Sequence, residues 1–291
     1  MELRPILLVL ALVPSTARAG IDDEFAGDRS YAMGGAHRGV GTSNDTLVLN
    51  PAGMALVRRY AVELQYGYSP FDRLSHINTS VVDSKTSPVA GGLGFTHDRG
   101  DANEVDAGLT RFYLGAAYAI SSGIGFGVTS RYVRGSYKND GVARNVSLYN
   151  VDVGLMALIA EGLALGATYS NVIRYSEKLD RALLPSRLAF GLGYSPNELT
   201  LAFDLDMDVG RAQRNLTYHA GAEYLLQRTF PIRLGYERSP FVRKDGSAGQ
   251  ENLLSAGLGW VNQGGAIEIA YRRSLDRGRN WGIVGALKFF M

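Results

Sequence analysis

Apolar and polar residues alternate with a period of two along most of this chain, from Tyr60 to the C-terminal Met291. The clearest stretch covers residues 199–208. One face there carries Leu199, Leu201, Phe203, Leu205 and Met207, and the other carries Thr200, Ala202, Asp204, Asp206 and Asp208. This alternation is typical of a β-strand that has an apolar environment on one side and a polar one on the other, and about fourteen segments follow it. The sequence therefore predicts an all-β protein.

The connections between these segments indicate which kind of β-protein it is. A soluble sandwich and an outer-membrane barrel give the same alternation, but their loops differ. Every second connection is very short, near residues 121, 161, 195–197, 228–229 and 263–264. Most of the others are longer and charged, at residues 98–104, 138–144, 177–181, 242–251 and 276–280. Tight turns at one end and longer loops at the other predict a closed antiparallel transmembrane β-barrel of about 14 strands with both termini periplasmic.

The polar faces of the strands carry ionisable side chains that lipid would not tolerate. An Arg or Lys that faces lipid near the midplane costs roughly 2–4 kcal/mol. We therefore predict that these side chains face the lumen: Arg111, Arg131, Asp204, Asp206, Glu223 and Arg233. The acidic residues on neighbouring strands form either a network that holds a plug to the wall, or a cation-preferring lumen or calcium site.

The chain divides into three parts. Residues 1–19 contain Arg4, an apolar run and a small-x-small site at residues 17–19, which predicts a signal peptide. Residues 20–59 lack alternation and are predicted to form a plug, and residues 60–291 form the barrel. No apolar run after the signal peptide is long enough for a transmembrane helix.

Composition argues against several kinds of chemistry. The chain has no cysteine and four scattered histidines, so we predict no metal site and no cofactor. His76, Asn78 and Ser80 share one strand face, but a catalytic site needs a base within hydrogen-bond reach of its nucleophile. We therefore do not expect this protein to be an enzyme. With 30 basic against 28 acidic residues and a secretory signal, we expect no nucleic-acid partner.

A short motif precedes the first strand. It consists of Met33-Gly34-Gly35-Ala36, then Asn44-Asp45, then Asn50-Pro51-Ala52-Gly53-Met54. Asn50 before Pro51 predicts a helix N-cap followed by proline at the first helical position. The segment resembles the N-terminal plug of the FadL family of outer-membrane transporters, and the same pattern occurs in the related PorV-type barrels.

The resemblance implies a fold and a route for cargo. FadL-family proteins have a fourteen-stranded barrel, a plug in the lumen, and a kink in the third strand that opens the wall sideways. In this chain Pro88, Gly91 and Gly92 lie in the third strand, where proline and glycine permit a kink. The outer loops here are much shorter than those that form the ligand-capture groove of the family.

The prediction is a protein of the Gram-negative outer membrane that contacts lipid and passes hydrophobic, fatty-acid-like small molecules passively inward. One alternative is a PorV-like plugged barrel that serves as a binding platform for secreted or surface-attached proteins. A second alternative is a generic porin-like barrel.

Overall fold

A computed structural model describes residues 25–41, 43–70, 73–102, 105–139, 142–176, 185–209, 215–242, 248–277 and 280–291. The predicted signal peptide, residues 1–19, lies outside the described residues, as do residues 20–24. Among the described residues there are three short helices and fourteen strands. The helices are α1 (Asp28–Ala32), α2 (Thr46–Leu49) and α3 (Gly53–Leu56). The strands are β1 (Tyr60–Ser69), β2 (Leu74–Asp83), β3 (Val89–Ala102), β4 (Val105–Ser121), β5 (Ile124–Asn139), β6 (Val142–Ala160), β7 (Leu163–Ser176), β8 (Ser186–Tyr194), β9 (Leu199–Val209), β10 (Leu216–Leu226), β11 (Phe230–Val242), β12 (Ala248–Val261), β13 (Gly265–Ser274) and β14 (Trp281–Phe290).

The described strands form one closed antiparallel barrel in which each strand pairs with its neighbours in sequence. β14 closes the barrel against β1, from Ala61 opposite Phe290 to Tyr68 opposite Ile283. The Met291 amide donates to the Tyr60 carbonyl over 3.0 Å, which brings the start of β1 and the C-terminus together at one end of the barrel. We call this the terminal end and the opposite one the distal end. The predicted fold class is confirmed.

The two faces of the wall follow the alternation of the sequence. Leu201 and Phe203 of β9 point outward and are 42% and 47% exposed, while Asp204, the next residue on this strand, is fully buried. A wall that is apolar outside and charged inside is the arrangement of a transmembrane barrel, in which lipid contacts the outer face. Among the described residues, none of the helices is long and apolar enough to cross a membrane.

Three predicted distal loops are wrong, because residues of each belong to paired strands; in the predicted loop 242–251 these are residues 242 and 248–251 of β11 and β12. Residues 98–102 continue β3 and pair with β4, and residues 138–139 continue β5 and pair with β6. The sequence at this end does not alternate between apolar and polar residues, although the backbone ladder continues. Strand boundaries based on alternation were therefore too short here.

Residues 25–41 and 43–59, which we call the inner segment, lie within the ring of strands. Helix α1 contacts β11, β12, β13 and β14, and helix α3 contacts β3, β4 and β5 on the other side. Most of the inner segment is buried, including Met33, Leu47 and Met54. Leu47 and Met54 pack with inward residues of β2, β3 and β4, which makes the largest apolar cluster among the described residues.

Candidate functional site

Glycines allow the inner segment to touch the wall. After α1 the backbone turns through Gly34 and Gly35, with φ angles of 67° and 87° that favour glycine. A Cβ on Gly34 would lie 2.5 Å from the backbone nitrogen of Tyr236, and one on Gly35 would lie 2.5 Å from Nδ1 of His219. His219 Nδ1 in turn lies 2.7 Å from the Gly34 carbonyl oxygen. The paired glycines thus let this turn lie directly on β10 and β11.

Asn50 joins the inner segment to the opposite side of the wall. Its Nδ2 donates to the Arg38 carbonyl at 2.8 Å and to the Leu155 carbonyl at 3.2 Å, and its Oδ1 accepts from the Ala52 amide at 3.3 Å. Pro51 packs on Gly127, where a Cβ would lie 2.4 Å from the Pro51 carbonyl carbon. The motif residue Gly53 lies close to Gly41, so the motif holds two turns of the inner segment together and sets them on β5 and β6.

A second contact is ionic. Asp204 accepts hydrogen bonds from the backbone amides of His37 and Arg38 at 2.8 and 2.9 Å. The Arg38 guanidinium lies 3.2 Å from Asp204 and 2.7 Å from Asp206. These two aspartates of β9 therefore bind one turn of the inner segment through both its backbone and its arginine.

A larger ionic network surrounds α1. Arg29 lies 2.6 Å from Glu223, and Arg233 contacts Glu223 and also Glu268 at 2.7 Å. Lys288 lies 2.6 Å from Glu268 and 2.8 Å from Asp28 at the start of α1. Buried charges are stable only when they are paired in this way, so α1 is held to β10, β11, β13 and β14.

Three buried carboxylates, Asp28, Asp45 and Glu63, place oxygens within 4.8 Å of one another and could in principle hold a cation. The Lys288 ammonium already lies 2.8 Å from Asp28 and 4.0 Å from Glu63. It supplies the positive charge that these oxygens require. Burial raises the pKa of the Asp28 carboxyl, against the opposing effect of Lys288.

His37 is the other buried titratable group of the inner segment. Its Nε2 lies 3.1 Å from the Ser43 hydroxyl, and the side chain is fully buried. Burial lowers the pKa of His37 to about 3, because the charged imidazolium loses its hydration inside the barrel. The imidazole is therefore neutral at physiological pH.

Arg111 and Arg131, the remaining predicted lumen charges, lie nearer the distal end. Arg111 bonds to Asp98, whose other oxygen lies 2.6 Å from Nδ1 of His76. Arg131 bonds to Asn150 at 3.1 Å and to Asp152 at 3.2 Å. Ser80, the hydroxyl on the strand face of His76, bonds to Asn44 of the inner segment at 3.1 Å, so it serves packing there.

An apolar patch on the inner wall was not anticipated from the sequence. It consists of Leu109, Val133, Val146 and Leu148, all buried and packed together on β4, β5 and β6. Leu109 lies two residues from Arg111, and Val133 two residues from Arg131, so each pair shares an inward face. The sequence therefore contained the information needed to find this patch, because an apolar residue two positions from an inward arginine on the same strand must also point inward. We call these four residues the lumen patch.

The predicted kink in the third strand is wrong. β3 pairs with β2 and β4 without a register shift across Gly91 and Gly92. Pro88 precedes the first strand residue, Val89, and so does not interrupt the ladder. Gly92 is needed for space, since a Cβ there would lie 2.8 Å from Cδ1 of Leu47, and the Cβ position at Gly91 is open.

The wall is irregular at β7 instead. The β6–β7 register shifts between Val151 and Val153, where Asn171 adopts a left-handed φ of 59°. The Asn171 amide donates to Asp152 at 2.6 Å and its Nδ2 to the Pro185 carbonyl at 2.8 Å. Pairing of β7 with β8 ends at Ser170 opposite Arg187, although β7 continues to Ser176. The distal part of β7 thus has a strand partner on one side only among the described residues.

Comparison with solved structures identifies the fold. The toluene transporter TodX of Pseudomonas putida aligns with 91% of this chain and 97% of its own, at 13% identity and a TM-score of 0.67. The chain has the FadL-type barrel fold. The toluene transporter TbuX of Ralstonia pickettii gives a TM-score of 0.66 at 14% identity, and a FadL homologue of Pseudomonas aeruginosa gives 0.68 at 11%. Each of these two alignments also covers 91% of this chain and 97% of the other.

No protein-family model and no curated protein matches the sequence. The FadL-type fold is therefore recognised from the structure of the barrel.

Proposed function

We propose that this protein lets uncharged hydrophobic small molecules pass through the outer membrane of a Gram-negative bacterium. The observation that carries the proposal is the lumen patch, a cluster of four buried apolar side chains inside a barrel whose neighbouring inward positions are charged. The four side chains are 2–8% exposed and bury one another, so a passing molecule has to separate them. An apolar molecule keeps their surface out of water, at about 25 cal/mol for each Å², whereas a polar molecule does not. Three barrels with the same fold include two toluene transporters, which supports this substrate class.

The charges next to the lumen patch favour a neutral cargo. A fatty-acid carboxylate would need a cation, and the two nearest arginines already have carboxylate partners. Arg111 is bonded to Asp98, and Arg131 to Asp152. Taking either arginine from its partner would leave a buried carboxylate unpaired, which is costly. We therefore narrow the expected fatty-acid-like cargo to uncharged molecules.

We propose that the inner segment is a plug and that cargo leaves the lumen beside it, through the wall at β7. The register shift of β7 against β6 at Asn171 supports this position rather than β3. Val172, Ile173 and Tyr175 follow the Asn171 bulge and are exposed, which provides an apolar margin. No observation on the described residues favours the binding-platform alternative.

The test is to make the lumen patch polar without changing its size. In the double variant Val146→Thr/Leu148→Asn, uptake of radiolabelled toluene by cells should fall roughly tenfold, because a hydroxyl or amide that has to contact an apolar molecule loses its hydrogen bonds at a cost of about 1–3 kcal/mol. Decanoate, a carboxylate probe, should enter poorly in wild type and variant alike.

The matched control is Val82→Thr, the same kind of change at an inward residue that packs near the inner segment. It should leave toluene uptake at the wild-type rate when equal amounts of protein reach the surface. Unchanged toluene uptake in the double variant, or equal uptake in cells that lack the protein, would refute the proposal.

A further inference from the structure

A groove of about 550 Å³ lies on the outer face of the barrel wall, across the wall from the inner segment. Its apolar floor is formed by outward residues of β11, β12 and β13, namely Leu234, Leu254 and Tyr271. Leu275, just after β13, closes one side, and its amide donates to the Asn252 carbonyl at 2.8 Å. β11 runs toward Val242 and β13 toward Ser274 at the distal end, so the groove lies in the distal half of the wall.

Two exposed arginines flank the groove. Arg273 lines it directly, opposite Leu254, and Arg238 lies on β11 opposite Asn252. Both point outward, since they continue the faces of Tyr271 and Leu234. Neither has a carboxylate within ion-pair distance in the part of the chain that the structure describes, in contrast to Arg233 and Arg29 inside the barrel.

The neighbouring polar groups leave a net positive rim. Asn252, between the two arginines, receives the Tyr236 hydroxyl on its Oδ1 at 2.6 Å. Its amide and Nδ2 donate to Asp276 at 2.6 and 3.0 Å, and the neighbouring Glu251 carboxylate pairs with Arg277, so neither carboxylate pairs with Arg238 or Arg273. An arginine at the membrane interface gains most from an anion, and its planar guanidinium suits a phosphate in particular.

We propose that this groove binds a phosphorylated acyl lipid of the outer leaflet, with an acyl chain on the apolar floor and a phosphate between Arg238 and Arg273. Charge and apolar surface occur together here, and that combination belongs to a lipid with an anionic headgroup. A second copy of the chain fits less well, because a two-fold contact would bring the same two arginines against each other. The inference depends on the distal end facing outward in the outer membrane and is independent of what passes through the lumen.

The test uses full-length protein in detergent micelles, titrated with lipid A, a bis-phosphorylated acylated glucosamine disaccharide, and read by native mass spectrometry. The variant Arg238→Ala/Arg273→Ala should bind about thirtyfold more weakly, because each interfacial arginine contributes roughly a factor of five toward an anionic lipid. Lipid A from which both phosphates have been removed should bind wild type as weakly as the intact lipid binds the variant.

The matched control is Arg99→Ala/Arg134→Ala, which removes two outward arginines of β3 and β5 that do not line the groove. It should keep wild-type affinity. An equal loss in this control would mean that general surface charge binds the lipid, and the proposal would be wrong. Competition by inorganic phosphate alone would overturn it too, since that result would indicate a free-anion site without an acyl component. Both double variants change only exposed side chains, and intact heat-modifiability on gels will show that they are folded.

Discussion

A single methyl group on the wall should loosen the inner segment. At Gly166 of β7, a Cβ would lie 2.0 Å from the Arg38 carbonyl oxygen and 2.9 Å from Nδ2 of Asn50. In Gly166→Ala the backbone of the inner segment must move, since the strand is fixed by its ladders. Overpacking of this kind costs about 1–3 kcal/mol, and the Asn50–Arg38 hydrogen bond that is lost adds about 1 kcal/mol.

The combined cost of about 2–4 kcal/mol lowers the ratio of docked to undocked inner segment by roughly 30-fold to 1,000-fold. Single-channel recording in planar bilayers measures the consequence, because an undocked segment leaves the lumen open to ions. We expect frequent openings in Gly166→Ala at a voltage where wild type is quiet.

The control for this prediction is Gly91→Ala on β3, where the new Cβ would meet no atom within 4 Å. The strand gains about 0.5–1 kcal/mol from replacement of a glycine, so this variant should be slightly more stable and as quiet as wild type. Quiet traces from correctly folded Gly166→Ala would show that the contact does not hold the segment, and our reasoning would fail.

Three further predictions concern charge and burial. Arg233→Met should lower the free energy of urea unfolding in lipid vesicles by about 3–5 kcal/mol, because Glu223 and Glu268 lose a buried partner. Arg228→Met, which removes an exposed ion pair, should lower it by less than about 1 kcal/mol, and similar losses in the two variants would contradict the buried network. Leu201→Arg on the lipid-facing side should impair membrane assembly, because an arginine that faces lipid at the midplane costs roughly 2–4 kcal/mol, while Asp204→Asn should assemble normally. If surface labelling shows the reverse, the assignment of inner and outer faces is wrong. His37 has a pKa of about 3 in the folded protein and 6.5 in the unfolded chain, so the unfolded state binds the extra proton and the stability of the fold decreases as the pH drops from 6.5 toward 3. The difference in melting temperature between wild type and His37→Gln should therefore change over this pH range and be constant above it.

The sequence predicts the barrel well because a barrel wall has a strict period of two. Each residue contacts either lipid or lumen, so residues such as Leu201 and Asp204 mark their own face. The pattern loses this meaning at the distal end, where residues 98–102, 138–139 and 248–251 are paired in strands although their sequence does not alternate. The strand ends were misplaced for that reason.

The candidate site was predictable in its motif residues but not in their partners. Asn50 and Gly34 stand out in the sequence, yet their contacts with Leu155 and His219 join positions more than a hundred residues apart. The glycines of β3 predict a break in the wall, but the ladder is continuous there. A glycine that permits a bulge and one that makes room for Leu47 look the same until the neighbouring side chain is known.

The inward glycines of the wall have a consequence for the order in which the barrel assembles. Gly127, Gly154, Gly166 and Gly193 face atoms of the inner segment at distances a Cβ could not occupy. A wall that closed before the segment arrived would enclose a hollow lined by bare backbone, and the segment would then have to enter through a ring already sealed by β1 and β14. The N-terminal residues should instead stay with the strands as they pair, so that the last seam closes around a filled interior. We therefore expect the inner segment to be in place before β1 and β14 pair.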